Sequence, residues 1–126
     1  MEFWLLTGLG VYLLQVYAAA AIYLPTEGMA THMGGRDILP EKGVLARRAD
    51  KALVNMKENL PLFITLALLA MIIEGADLAL AAQGAMIWVF ARVAYLLLYL
   101  AAVPYVRSAA WGVSMAGLVM MLISVL

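Results

Sequence analysis

The chain has 126 residues, of which 67% are hydrophobic and 13% charged, with eight basic and eight acidic side chains. Because soluble domains carry about a quarter charged residues, this composition excludes a soluble protein and predicts one all-α integral membrane domain over residues 1–126. The balanced charge gives no reason to expect a nucleic-acid partner. The absence of cysteine excludes disulfides, thiolate metal sites and a nucleophilic thiol of the protein's own.

The first apolar segment runs from about Phe3 to Leu24 and is expected to end at Pro25. At 1.5 Å per residue it is long enough for a hydrocarbon core of about 30 Å. A cleaved signal peptide is the alternative. However, the only early charge is Glu2, and a signal peptide has a basic start and a shorter apolar run. We therefore expect a retained transmembrane helix.

The connection from Pro25 to Val44 is predicted to be an irregular polar loop, because it is rich in glycine and proline. His32 lies in this loop and is expected to be exposed to solvent. The chain has no second histidine, so no metal site is predicted.

The second predicted helix, about residues 45–73, carries polar side chains into its apolar segment. Four of them follow at spacings of three, four and three: Arg48, Lys51, Asn55 and Glu58. At 100° per residue they fall within an arc of roughly 80° on one helix face. Ionisable groups within a membrane span are costly, so an aligned set of them indicates a functional site. Pro61 predicts a kink or a local opening of the same helix.

The third predicted helix, about residues 78–103, is expected to stop at Pro104. It also has a polar face, with spacings of four, three and four: Trp88, Arg92, Tyr95 and Tyr99. Arg92 falls in the middle of the apolar segment, where an unpaired guanidinium is unfavourable. It therefore needs an acidic partner or a wet cavity, and Glu58 is the natural candidate.

The fourth predicted helix covers about residues 108–126. Only four residues separate it from the third helix and the third from the second, so these helices should be antiparallel neighbours. Ser108, Gly112 and Ala116 recur every four residues, a small-residue pattern typical of helix contacts in membranes. Gly8 and Gly84 would permit a similarly close approach.

The basic residues predict the orientation of the bundle. They cluster at one end: Arg36, Lys42, Arg47, Arg48, Lys51 and Arg107. The turn between the second and third helices has two acids and no base. By the positive-inside rule, the loop between the first two helices is cytoplasmic and both termini face outward. The expected location is the inner (cell) membrane of a bacterium.

The polar faces suit a particular kind of ligand. Lys51 and Glu58 lie about 10 Å apart along the helix axis, which suits an extended zwitterion with carboxylates and an ammonium group. Tyr95, Tyr99 and Arg107 add two phenolic donors and a permanent cation, which could lower the pKa of a bound thiol and hold its thiolate. A short peptide thiol such as glutathione fits these groups. Alternatively, the basic residues are interfacial anchors, the tyrosines pack, and the Arg92–Glu58 pair is structural.

Two motifs resemble those of a known family. One is Arg48-x-x-Lys51-Ala-x-x-Asn55-x-x-Glu58-x-x-Pro-x-Phe, and the other is Arg92-x-x-Tyr95-x-x-x-Tyr99. Together with the length, the four helices and the long first loop, they resemble the MAPEG superfamily, the membrane-associated proteins of eicosanoid and glutathione metabolism. This resemblance covers nearly the whole chain.

The resemblance implies a homotrimer of four-helix bundles in the lipid bilayer, with glutathione bound between neighbouring subunits near the cytoplasmic side. It implies a glutathione-binding set of Arg48, Lys51, Asn55, Glu58, Asn59 and Arg92. It implies a catalytic set of Arg107, Tyr95 and Tyr99, in which Arg107 activates the thiolate.

Two departures narrow the expected activity. Lys51 replaces an arginine and loses its two-pronged contact with a carboxylate. Asn59 stands where the eicosanoid synthases resemble one another in having tyrosine. Both argue against leukotriene-type synthesis and favour a detoxifying glutathione transferase or peroxidase that acts on lipophilic electrophiles or hydroperoxides. The alternatives are a non-catalytic binding or scaffold member, and a small four-helix drug exporter. The exporter class relies on a glutamate in its first helix, which this chain lacks after Glu2.

Overall fold

The computed structural model describes residues 1–126 and consists of helices joined by short connections. The elements are α1 (Glu2–Glu27), α2 (Met29–Met33), α3 (Val44–Ile72), α4 (Leu78–Leu100) and α5 (Pro104–Ser124). All except α2 are long and apolar enough to cross a membrane. The predicted all-α fold with four membrane-spanning helices is confirmed.

Two of the predicted helix ends, both placed next to a proline, are wrong. α1 continues through Pro25 to Glu27 and ends at Gly28, whose φ of 81° few other residues adopt. α4 ends at Leu100, before the predicted stop. Pro104 instead begins α5, in the first turn, where a missing backbone N–H costs no hydrogen bond.

Hydrogen bonds set the antiparallel register of the last three helices. Arg48 Nη1 donates to the carbonyl oxygen of Leu100 at 3.3 Å, near the start of α3 and the end of α4. At the opposite end of the bundle, the backbone N–H of Asp77 donates to the carbonyl oxygen of Ser124 at 2.8 Å. The Asp77 side chain also caps α4. The basic residues therefore lie at one end, and the last turns of α3 and α5 at the other.

Glycines allow the helices to approach closely. A Cβ atom added at Gly84 would lie 2.6 Å from the carbonyl oxygen of Gly117, so α4 and α5 touch backbone to backbone. A Cβ atom at Gly8 would lie 2.5 Å from the ring of Phe63. That ring stacks on Trp88 with 3.9 Å between centroids, at the centre of the core. The close approach predicted at Gly8 and Gly84 is confirmed.

The small-residue face predicted on α5 is wrong for the packing within the chain. Ser108, Gly112 and Ala116 are exposed, whereas Leu118 and Met121 are buried on the inner face. The close contact with α4 is made instead by a different small residue of α5, Gly117, which meets Gly84 backbone to backbone. The spacing of small residues alone could not select the correct face.

The turn between α4 and α5 is tight. Ala102 has a φ of 59°, which is unfavourable for a residue with a side chain. Its N–H donates to the carbonyl oxygen of Tyr99 at 3.2 Å, and the N–H of Val103 donates to that of Leu98 at 3.0 Å. These bonds hold the turn that returns the chain to the start of α5.

The long connection is tied to the bundle. The Tyr23 hydroxyl donates to the carbonyl oxygen of Pro40 at 2.6 Å, and Lys42 forms an ion pair with Asp50. His32 lies in α2 within this connection and is half-buried, because its Nδ1 lies 2.9 Å from the carboxylate of Glu27. The predictions of an exposed His32 and of a wholly irregular loop are therefore wrong.

Candidate functional site

Two adjoining cavities lie at the basic end of the bundle, where α3, α4 and α5 meet. The inner cavity has a volume of about 230 Å³ and is lined by Asn55, Tyr95, Arg107, Ser108 and Trp111. The outer cavity has a volume of about 380 Å³ and is lined by Val44, Arg47, Arg48, Lys51, Tyr99 and Arg107. Arg107 lines both, so the two adjoining cavities are described together as one candidate site.

Arg107 lies at the junction of the two cavities. The turn before α5 places it in the first helical turn, with its guanidinium carbon 4.4 Å from the centroid of the Tyr99 ring. This cation–π contact orients the guanidinium. Arg107 forms no ion pair with an acid of the chain. Its charge is therefore available to an anionic group of a ligand.

The two tyrosines of α4 lie one helical turn apart. Their rings contact edge to face, with 5.6 Å between centroids. Tyr95 is buried and lines the inner cavity, whereas Tyr99 is half-buried and lines the outer one. The site thus has phenolic groups at two depths, about 6 Å apart along the helix axis.

Arg92 is fully buried below the inner cavity, and its predicted ion pair with Glu58 is not formed. Its Nη2 donates instead to Oδ1 of Asn55 at 2.8 Å, and its guanidinium carbon lies 4.9 Å from the Tyr95 ring centroid. Asn55 is level with Arg92 in the antiparallel register. Glu58 is nearly one turn further along α3 and is rotated by about 60° to the exposed side.

The structure brings together most of the predicted site residues. Those that line the cavities are Arg48, Lys51, Asn55, Tyr95, Tyr99 and Arg107. Arg92, Glu58 and Asn59 lie outside both cavities. Asn59 donates through its side-chain nitrogen to the backbone carbonyl oxygen of Asn55 at 2.7 Å, so its side chain bonds to its own helix.

Sequence reasoning missed some of the lining residues. Ser108 was assigned to a helix contact, Arg47 only to the orientation of the bundle, and Trp111 to no role. Trp111 follows Ser108 by three residues and Arg107 by four, and these spacings place side chains on one helix face. Those spacings were the available signal.

The charged side chains that line the outer cavity are all basic. Arg47, Arg48, Lys51 and Arg107 line the outer cavity and no acidic side chain does. Arg47 is 3.8 Å from Glu41, an exposed pair of little energetic weight. The outer cavity therefore favours carboxylates or other anions, and the inner cavity adds uncharged polar groups beside the same arginine.

Four membrane-spanning helices with a cationic cavity at their basic end define a small helical membrane protein with a cavity suited to anionic groups. The model of the MAPEG family matches residues 1–126, and the chain belongs to that family. This assignment confirms the resemblance of its two motifs and makes it a membrane protein of the glutathione and eicosanoid metabolism type, a family whose members typically use glutathione. No curated protein matches the chain at a significant level.

Proposed function

We propose that this protein is a membrane-bound, glutathione-dependent transferase or peroxidase that acts on lipophilic electrophiles or hydroperoxides and works as a homotrimer. The supporting observation is the position of Arg107, where a cationic cavity meets a smaller polar cavity. One end of the site can hold carboxylates while its centre holds a thiolate.

The proposed binding mode follows the charges. Arg48 and Lys51 in the outer cavity bind the carboxylates of glutathione, and Arg107 faces its sulfur. Asn55 and Tyr95 supply hydrogen-bonding groups to the peptide amides or to the sulfur from the inner cavity. Neither cavity provides an acid for the ammonium group of the ligand. The lack of an acid in both cavities is consistent with a site to which a neighbouring subunit contributes.

The chemistry begins with the thiolate that Arg107 stabilises. In the transferase reaction, the sulfur forms a bond to an electrophilic carbon and the leaving group departs with its bonding electron pair. In the peroxidase reaction, two glutathione thiols are oxidised to one disulfide, while a hydroperoxide is reduced to an alcohol and water. Trp111 is exposed and gives a lipophilic substrate an apolar wall beside the inner cavity. Holding both reactants in one site removes much of the entropic barrier to their encounter.

Removing the Arg107 charge tests this proposal. Arg107→Ala should keep glutathione bound through the outer cavity, as measured by calorimetry in detergent. It should also lose the ultraviolet absorbance of bound thiolate and slow conjugation to a halonitroarene by about 10²–10³-fold, the usual cost of losing one charge-stabilising group. Arg107→Lys should recover part of the rate.

The matched control is Arg36→Ala, which removes another cation of the basic end that lines neither cavity. It should leave binding and rate unchanged. Conjugation by Arg107→Ala at the wild-type rate would contradict the assigned role. A folded wild-type protein that binds no glutathione would overturn the proposal.

A glutathione-binding member without turnover is the second candidate. It is favoured by Lys51, which gives a point charge where a guanidinium would grip a carboxylate with two hydrogen bonds, and by the location of Glu58 outside both cavities. Binding with no conjugate and no disulfide formed across a panel of electrophiles and hydroperoxides would select this candidate.

A further inference from the structure

One exposed face of α3 has the spacing of a helix-packing surface. Its residues recur at intervals of four, three, four, three and four, and all are exposed: Val54, Glu58, Pro61, Thr65, Leu68 and Ile72. We call this face the α3 seam. Alternating intervals of three and four keep side chains on one side of a helix and are typical of helices that pack against a partner helix.

Two opposite charges lie about halfway along α3, Glu58 within this seam and Lys57 beside it. Lys57 and Glu58 are both exposed, and neither forms an ion pair within the chain. Glu58 is the midpoint of α3 and lies about 20 Å from either end of the helix. Exposing such charges to lipid is costly. We therefore expect another protein surface to cover the seam and to supply a complementary charge at the same depth.

The two edges of the seam carry different residues, so one edge can contact the other edge of a second copy of the chain. Lys57 lies on one edge, in a groove of about 410 Å³ between α1 and α3 that Tyr12 and Thr65 also line. Asn55 lies on the other edge and lines the inner cavity. At 100° per residue, Glu58 falls between them, about 100° from Lys57 and 60° from Asn55.

A rotation axis parallel to the helices brings these unlike edges together. In a closed ring, one edge of each subunit contacts the opposite edge of the next. Lys57 and Glu58 differ in height by about 1.5 Å, so copies inserted in the same direction place them at one level. In this kind of packing, the residue just before a seam residue flanks the matching seam residue of the neighbour.

We propose that Lys57 of each subunit forms an ion pair with Glu58 of the adjacent subunit and thereby completes the neighbour's site. This inference rests on the homotrimer of the proposed function. The pair holds the Glu58 carboxylate at the edge of the inner cavity, where the ammonium group of the ligand needs an acceptor that the chain alone does not supply. Lys57 is a positioning residue that acts through Glu58.

Disulfide trapping tests the contact directly, because the natural chain has no cysteine. In a Lys57→Cys/Glu58→Cys variant, the consecutive cysteines point to different sides of the helix and do not readily join within one subunit. If position 57 of each subunit lies beside position 58 of the next, mild oxidation of this variant produces covalent trimers on denaturing electrophoresis. A matched variant with Lys57→Cys and Leu13→Cys, the latter exposed on α1, should give no covalent trimer.

Charge exchange provides the second measurement. Lys57→Glu and Glu58→Lys each place like charges together and should shift the protein from trimer to monomer in light scattering of detergent complexes. The combined exchange restores opposite charges and should restore the trimer, since interacting residues give non-additive effects. Trimers that persist in both single variants, or that are lost equally in the exchange variant, would overturn the ion pair.

Glutathione calorimetry separates this inference from the proposed function. A disulfide between positions 57 and 58 in the cysteine variant, together with no glutathione binding by the wild-type trimer, would overturn the proposed function and leave the ion pair standing. Glutathione binding by the wild-type trimer, with no such disulfide in the cysteine variant, would overturn the ion pair alone. A monomeric wild-type protein would overturn both.

Discussion

The hydrogen bond between Arg92 and Asn55 should make a large contribution to stability. Arg92 is fully buried, and Oδ1 of Asn55 is the acceptor of its side-chain hydrogen bond at 2.8 Å; Nε and Nη1 have no partner in the chain. Asn55→Leu keeps a similar volume and removes that acceptor. A hydrogen bond from a charged group contributes about 1.5–3 kcal/mol, whereas polar pairs in membrane proteins average about 0.6 kcal/mol. Because this donor is charged and buried in protein, we expect a loss of about 2 kcal/mol.

A double-mutant cycle isolates this interaction. Unfolding of wild type, Asn55→Leu, Arg92→Met and the double variant is followed by circular dichroism during titration of mixed micelles with a denaturing detergent. Protein concentration is held fixed, because assembly contributes to the measured stability. The double variant should be more stable than the sum of the single effects predicts, by about 2 kcal/mol, or a factor of about 30 in the unfolding equilibrium constant.

The control cycle pairs Arg92→Met with Glu58→Gln. The structure places no contact between these side chains within the chain, so their effects should add. Additive effects of Asn55→Leu and Arg92→Met would refute the assigned hydrogen bond. A coupling energy between Arg92 and Glu58 as large as that expected for Asn55 would favour the ion pair expected from the sequence.

Two further predictions concern packing and the long connection. Gly84→Ala should lower the unfolding midpoint in micelles by an amount equivalent to about 1–3 kcal/mol, because the added methyl group meets the Gly117 backbone. Gly10→Ala, which meets nothing within 4 Å, should not lower it; equal losses would contradict the close helix contact. Tyr23→Phe should speed amide hydrogen exchange across residues 28–43, because it removes the hydroxyl that bonds to Pro40, while exchange in α4 stays unchanged. Unchanged exchange in the connection would show that this bond does not hold it.

The sequence was sufficient to predict the four membrane-spanning helices and most lining residues of the site. The helices were predictable because apolar length is a direct requirement of the bilayer. The alignment of Arg48, Lys51 and Asn55 was predictable because a helix repeats every 3.6 residues. Both are properties of single helices.

Features that depend on how two helices pack together were harder to predict from the sequence. The angular position of Glu58 relative to Asn55 follows from the sequence, but which of them meets Arg92 depends on how α3 is rotated against α4. The inward face of α5 had the same ambiguity, because its close contact with α4 uses Gly117 and not the predicted row of small residues. Near the helix ends, Pro25 and Pro104 were each expected to stop a helix, and both predictions were wrong. A proline can also occur within a helix or begin one.

The distance between Tyr99 and Arg107 depends on the strained backbone turn at Ala102. The two side chains sit on different helices, and only residues 101–103 separate those helices. An insertion of one residue in this turn would change the position and the rotation of the start of α5 relative to α4. The guanidinium would then leave the phenol ring although every side chain of the site was still present. In this protein, the length of a three-residue connection is as much a determinant of the site as the identity of the residues that line it.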